Sequence, residues 1–182
     1  MAMEFRFNAT QDYQLKAIAA VTGLLEGQPY IRNELVLPES GSFAVVANRL
    51  DLSEDDLLRN LRKTQAEQGI APDAALLQIE ETMEGLAGSE AIRFPNFSVE
   101  METGTGKTYV YLRTALELYQ RYGLRKYIIV VPSVAVREGV LKTLQVTGKH
   151  LAGLYANLPY RYYVYDSSRL SQVRQFTLSD SI

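Results

Sequence analysis

The sequence has no cysteine, no long apolar run and no strong excess of either charge. The absence of cysteine excludes a disulfide framework, a thiolate zinc site and a cysteine nucleophile. No segment is apolar enough to span a bilayer, and the first residues, MAMEFRF, lack the apolar stretch of a signal peptide. A formal net charge of −2 argues against a histone-like binder, so any nucleic-acid contact must come from a local basic surface. We therefore expect a cytoplasmic protein without a membrane partner.

The remaining composition is that of an ordinary globular protein. Apolar residues make up 47% of the 182 residues and charged residues 22%, which suits one domain with a real core. Changes in pattern along the chain divide it into three regions, which are residues 1–28, 29–92 and 93–182. No internal repeat or low-complexity tract interrupts them.

Start and stop signals predict helices in the first two regions. Thr10 is a plausible N-cap for a helix through Glu26, which Gly27 ends. Ser53, followed by three acidic residues, predicts the start of a second helix that runs to about Gln68, because a hydroxyl cap and acidic groups both suit a helix N-terminus.

The rest of the middle region carries weaker signals. Residues Pro29–Asn48 contain short extended runs and are predicted as a loop with a short hairpin. A further helix is expected from Pro72 to about Leu86. Residues 29–92 are therefore interpreted as a mainly helical insertion before the third region.

In the third region the pattern alternates between strands and helices. A helix is predicted over Lys107–Tyr122, with Gly123 as its stop. Ser133 is expected to cap another helix to about Val146. The predicted strands lie at 97–101, 127–131 and 162–165, and the middle one is apolar throughout, as in a parallel strand covered on both faces. This alternation predicts a three-layer α/β fold with right-handed crossovers.

Between the first of these strands and the first of these helices stands the run METGTGKT, Met101–Thr108. Its glycines allow successive backbone N–H groups to point into one concavity that binds phosphate oxygens, and the following helix adds its positive end. A strand, a glycine-rich turn, Lys-Thr and a helix are the context of a P-loop. Lys107 is expected to reach the β- and γ-phosphates of ATP as the catalytic residue, and the Thr108 hydroxyl to bind Mg²⁺. The candidate ATP-binding residues of the loop are Thr103, Gly104, Thr105, Gly106, Lys107 and Thr108.

The alternative is a glycine turn that binds nothing, but a chance G-x-G-K-[ST] is expected in under roughly 1% of chains of this length. The general P-loop pattern has glycine where this sequence has Met101. That departure argues against small P-loop kinases and GTPases, and the loop resembles that of superfamily 2 helicases.

Longer runs point to a narrower family. The segments FSVEMETGTGKTYVYLRT, IIVVPSVAVREGVLK and YYVYDSSRLSQVR, with YQLKAI in the first helix, resemble the Res subunit of type III restriction–modification enzymes. The resemblance covers most of residues 96–174 and the first helix. It implies a RecA-like P-loop ATPase domain, present here in part, within an ATP-dependent DNA translocase and endonuclease. It also implies double-stranded DNA and a DNA-methyltransferase (Mod) subunit as partners.

The resemblance also assigns roles to residues outside the loop. Gln14 matches the glutamine that reads adenine, a role suited to an amide that can both donate and accept; nearby Gln11 is not expected to share it. The alternative for Gln14 is an exposed polar residue on an amphipathic helix. Pro132, Ser133 and Arg137 match a motif that contacts the DNA backbone, and the alternative there is a capped helix with a solvated arginine.

Several other residues are interpreted without a function. His150 is expected in a polar surface loop, and the tyrosines of Tyr160–Tyr165 are assigned to core packing. An ATPase of this type needs a further acidic motif. Asp166 is the nearest candidate, but it is followed by Ser167 where the pattern has glutamate, so it is interpreted as a strand-end residue.

We therefore expect an N-terminal portion of a longer protein, inactive by itself. The alternatives are another superfamily 2 helicase, such as a type I restriction motor, and a nucleotide-binding module without motor activity.

Overall fold

The computed structural model describes residues 7–31, 46–85, 88–179 and 181–182. Most of the loop and hairpin predicted over Pro29–Asn48 lies outside these ranges. Five helices and two strands follow one another in the described residues. In chain order they are α1 Asp12–Gly23, α2 Glu54–Glu67, β1 Gln78–Gly85, β2 Gly88–Pro95, α3 Lys107–Tyr122, α4 Val134–Leu154 and α5 Leu170–Leu178.

Helix α1 begins and ends inside its predicted range. Its N-cap is Gln11, not Thr10. The prediction for Thr10 is wrong because its backbone N–H and its hydroxyl both donate to the Asn8 side chain, at 2.9 and 2.8 Å. The helix ends at Gly23, and turns continue the chain to Gly27.

The predicted start of α2 is confirmed. Ser53 accepts a hydrogen bond from the backbone N–H of Asp56, and the Asp56 carboxylate accepts one from the backbone N–H of Ser53, which forms a capping box. Hydrogen bonds from Ser53 and Arg59 lower the pKa of Asp56 to about 2. Four residues after Asp56, the buried Asn60 amide donates to carbonyl oxygens just beyond α1, at Leu24 and Glu26.

The helix predicted over Pro72–Leu86 is wrong, since residues 78–85 and 88–95 pair as antiparallel strands of a hairpin. Gln78 pairs with Pro95 at its base and Gly85 with Gly88 at its tip. Helix-favouring residues are overridden by strand pairing between neighbouring segments, which supplies every second residue with ladder hydrogen bonds. The interpretation of 29–92 as mainly helical therefore fails for its second half, while the boundaries of the three regions remain predictions.

Helices α1, α3 and α4 form the packed part of the molecule. The range Lys107–Tyr122 is confirmed for α3, with Gly123 in the left-handed conformation at its end (φ 74°). Its buried side chains pack against those of α4 in two clusters, and the Tyr122 hydroxyl donates to the Thr22 carbonyl oxygen of α1 at 2.9 Å. The clusters consist of Tyr109, Leu116, Leu151 and Tyr155, and of Leu112, Val140 and Leu144.

Helices α4 and α5 both differ from the sequence prediction. Ser133 caps α4 as predicted, but the helix continues past Val146 to Leu154. Helix α5 was not predicted, because its N-cap residue, Arg169, makes no side-chain cap hydrogen bond and gives no start signal. No helix among the described residues is long and apolar enough to cross a bilayer.

The three strands predicted in the third region do not form a sheet among the described residues. Segments 97–101, 127–131 and 162–165 lack assigned strand structure, and the sheet present is the β1–β2 hairpin. Ile128 and Val130 are 82% and 88% exposed. Parallel strands take their hydrogen bonds from neighbours that are distant in sequence, so an apolar run alone does not create a sheet. The described structure therefore contains helices of the predicted domain without its central sheet.

Candidate nucleotide site

The run Met101–Thr108 forms a tight loop that leads directly into α3. Gly104 and Gly106 have φ angles of 82° and 85°, a backbone conformation that favours glycine. Gly106 is the N-cap of α3 and offers no side chain to the first N–H groups of the helix. Those donors, together with the positive end of the helix, suit a phosphate group.

Lys107 is folded across this loop. Its ammonium group donates to the carbonyl oxygens of Met101 and Glu102, both at 2.7 Å. The Thr105 hydroxyl donates to the same Glu102 oxygen at 2.6 Å. These are neutral acceptors, and anionic phosphate oxygens form stronger bonds with an ammonium group. The ammonium group of Lys107 therefore lies where it can exchange these carbonyl oxygens for the oxygens of a phosphate bound in the loop.

Gln14 lies against the same loop although 91 positions separate it from Thr105. Its side chain is 7% exposed, and its Nε2 donates to the Thr105 carbonyl oxygen at 2.9 Å. The alternative of an exposed polar residue is therefore wrong. A Cβ on Gly106 would lie 2.8 Å from the same nitrogen, so a larger residue there would require the Gln14 amide to shift. Adenine reading by Gln14 remains a prediction.

A cavity of about 570 Å³ opens beside the loop, within the usual range of ligand sites. The P-loop and the beginning of α3 form one side. A second wall comes from residues 7–11, which precede α1 and of which Phe7, Asn8 and Gln11 line the cavity, together with Gln14. Thr143 and Thr147 of α4 complete it. Gln11, to which the sequence assigned no role, thus lines the cavity, and so do Phe7 and Asn8, which carry no recognisable motif.

Two aromatic residues that line the cavity, Phe7 and Tyr109, also contact His150. The Tyr109 hydroxyl lies 2.9 Å from Nε2 of His150, and the Phe7 ring stacks on Tyr109 with centroids 6.4 Å apart. The prediction of His150 in a surface loop is wrong, because α4 extends past it and brings it to α3. Burial, and secondly the positive charge of Arg113, lower the pKa of His150.

The candidate DNA-contacting residues lie at the other end of α4. Pro132 and Ser133 are exposed, and the Ser133 hydroxyl accepts from the backbone N–H of Val136 at 3.3 Å. The Arg137 guanidinium donates to the Glu138 carboxylate at 3.0 and 3.2 Å. An exposed ion pair of this kind contributes little stability, so the arginine can exchange its partner for a phosphate. Their contact with DNA remains a prediction.

The segment around Asp166 does not complete the site. Asp166 accepts hydrogen bonds from the Ser168 backbone and hydroxyl in a turn, so its interpretation as a strand-end residue is wrong in that respect. Core packing is also wrong for much of Tyr160–Tyr165, since Tyr162 and Tyr165 are 50% and 71% exposed. Among the described residues no group of three or more histidine, aspartate or glutamate side chains could hold a metal ion.

Comparison with known proteins agrees with the geometry. Residues 9–154 match the family model described as "Type III restriction enzyme, res subunit". The chain is 48% identical over 64 residues to the StyLTI Res subunit of Salmonella typhimurium, across 34% of its own length and 6% of that protein. It is 31% identical over 110 residues to the EcoP15I Res subunit of Escherichia coli, across 60% and 10%. It is 27% identical over 146 residues to the EcoPI Res subunit of Escherichia phage P1, across 80% and 13%. The chain thus spans about a tenth of the length of these relatives.

Proposed function

We propose that this chain, which belongs to the type III restriction enzyme Res subunit family by the match of residues 9–154, binds ATP together with Mg²⁺. The bound ATP would supply an ATP-dependent DNA motor. The single observation that carries the proposal is the loop before α3. Its two left-handed glycines, the uncapped helix start and the ammonium group of Lys107 together provide donors for phosphate oxygens.

The residues of the cavity fit a nucleoside triphosphate with its metal ion. The backbone from Thr103 to Thr108 would hold the phosphates, and Lys107 would neutralise charge on the β- and γ-phosphates. The Thr108 hydroxyl, at the first turn of α3, would bind the Mg²⁺ ion, which supplies positive charge against the phosphates when bound. Gln14 would read the adenine edge while its Nε2 stays beside the loop.

DNA and a second subunit complete the proposal. Pro132, Ser133 and Arg137 would contact the phosphate backbone of double-stranded DNA at the beginning of α4. By family membership, the protein that contains these residues would act with a Mod methyltransferase in the cytoplasm, and would combine translocation with DNA cleavage. The matched relatives are several times longer, so nuclease activity would depend on residues beyond those considered above.

The first experiment tests the phosphate loop in the full-length protein. Lys107→Ala is expected to abolish DNA-stimulated ATP hydrolysis while melting temperature stays within a few degrees of wild type. Lys142→Ala is the control, because Lys142 is an exposed lysine on α4 that does not line the cavity. Wild-type turnover by Lys107→Ala would rule out the assignment.

A nucleotide-binding module without motor activity is the second candidate. Such a module needs no further acidic motif, and among the described residues no group of three or more histidine, aspartate or glutamate side chains could hold a metal ion. DNA binding as a function of salt separates the two. For a motor, Arg137→Ala should weaken binding of all DNA sequences about equally and flatten the salt slope by roughly one unit. A module without DNA contacts would show no salt-dependent DNA binding at all.

A further inference from the structure

Arg113 of α3 connects three parts of the molecule next to the nucleotide cavity. Its side chain is only 12% exposed. Nη1 donates to the Ala9 carbonyl oxygen at 2.6 Å, and Nε donates to the Tyr155 hydroxyl at 3.0 Å. The Tyr155 hydroxyl in turn donates to Oε1 of Glu117 at 2.8 Å. The guanidinium group therefore joins the segment before α1 to α3 and to the end of α4.

Ala9 does not line the cavity itself but stands directly after Asn8, which does. Residues 7–11 supply Phe7, Asn8 and Gln11 to the lining of the cavity. Hydrogen bonds from Thr10 to the Asn8 side chain turn this segment on itself. The bond from Arg113 attaches this turn to α3, the helix that carries Lys107.

We propose that Arg113 is a positioning residue, which holds the wall of residues 7–11 at a set distance from the phosphate loop and so determines affinity for the nucleoside part of ATP. The inference rests on the proposed function of the loop. Arg113 lies six residues after Lys107, about 9 Å along the same helix. The same rigid helix therefore carries both Lys107, at the phosphate loop, and Arg113, which binds the wall of residues 7–11.

The contacts distinguish this role from an ordinary helical ion pair. The closest approach of Arg113 to Glu117, four residues later, is 3.9 Å, longer than its bonds to Ala9 and Tyr155. Its guanidinium presents donors in a fixed fork, which can reach two acceptors in different directions. A lysine ammonium on a flexible stem does not hold this geometry, so the proposal predicts that Arg113→Lys is not a neutral change.

The test compares two ligands that share phosphates and differ in the nucleoside. Dissociation constants for Mg-ATP and for inorganic tripolyphosphate with Mg²⁺ are measured on the full-length protein. Arg113→Met is expected to raise the value for ATP about tenfold, the scale of a lost hydrogen bond from a charged group. Tripolyphosphate should stay within twofold. Arg121→Met is the matched control, since Arg121 is a half-exposed arginine of the same helix that also approaches Glu117, at 3.4 Å, and it should change neither constant.

Each other outcome has a definite meaning. Equal loss for both ligands would show that Arg113 only supports the helix, and no loss would show that the wall does not depend on it; either result overturns the proposal. If wild-type protein does not bind tripolyphosphate and Lys107→Ala leaves ATP binding intact, the phosphate-loop assignment fails instead. Should Arg113→Met not fold, Arg113→Lys takes its place and must lose ATP affinity selectively, and unchanged ATP affinity would overturn the proposal.

Discussion

The helices around the phosphate loop and the apolar segments beside them differ sharply in packing. Leu151 of α4 is 1% exposed, whereas Ile128, in the segment predicted as a parallel strand, is 82% exposed. Both belong to runs with a clear apolar pattern. A helix forms its hydrogen bonds within one segment and needs only one partner face. A parallel strand needs neighbours on both edges and cover on both faces, so the nucleotide loop can form where the sheet does not.

The largest expected effect concerns catalysis. Residues 1–182 alone should show no ATP turnover above that of their Lys107→Ala variant, although the loop is in place. Hydrolysis also needs an acidic residue and a transition-state cation, neither of which is identified among the described residues, and the cation alone contributes about 10³–10⁵ in rate. Phosphate release with Mg-ATP and duplex DNA measures it. Turnover above the variant would mean that Asp166 or another described residue completes the site.

The next effect concerns stability. Leu151→Ala is expected to lower the free energy of unfolding of residues 1–182 by about 2–5 kcal/mol, because it leaves a cavity in the α3–α4 cluster. Ile128→Ala should change it by less than about 0.5 kcal/mol, as for other exposed positions. Urea denaturation followed by circular dichroism measures both. Similar losses for the two variants would show that the 127–131 segment is packed in solution and would remove the contrast.

A smaller effect is expected on the choice between ATP and GTP, and it concerns the helices around the phosphate loop. If Gln14 reads adenine, Gln14→Ala should weaken ATP binding by about 1–2 kcal/mol and GTP binding by less. Its bond to Thr105 alone predicts an equal loss for both nucleotides. Titration with each nucleotide distinguishes them, and Gln11→Ala serves as the comparison within the same wall.

The smallest expected effect is a pH dependence of stability, which arises from His150 in helix α4. Burial and the nearby charge of Arg113 lower the pKa of His150 below its usual value of 6.5. The unfolded state then binds more protons than the folded one, so this contribution to stability is complete above pH 6.5 and decreases as the pH falls below it. Tyr109 and Arg113 are the titratable groups that approach the imidazole. Thermal melts from pH 7.5 to 5 should show a steeper decline for wild type than for His150→Gln, and parallel curves would contradict the assignment.

Features with local causes were predictable from the sequence. The start of α2 at Ser53, the range of α3 and the Ser133 cap of α4 each depend on residues within one turn of the feature. The conformation of the loop before α3 belongs with them, because its left-handed glycines and the following helix lie within eight residues. The hairpin at 78–95 was missed because pairing between its strands outweighed the helix-favouring composition of the first one.

By itself the sequence determined the glycine-rich loop at a helix start and the resemblance to the type III restriction enzyme Res subunit family. Only the tertiary structure decided which distant residues surround that loop. It brought the Gln14 amide to Thr105, His150 to Tyr109 and the Ala9 carbonyl oxygen to Arg113. It also left the predicted strands unpaired among the described residues. The reason is physical: a turn or a helix takes its hydrogen bonds from nearby residues, whereas a cavity wall or a parallel sheet takes them from residues far along the chain.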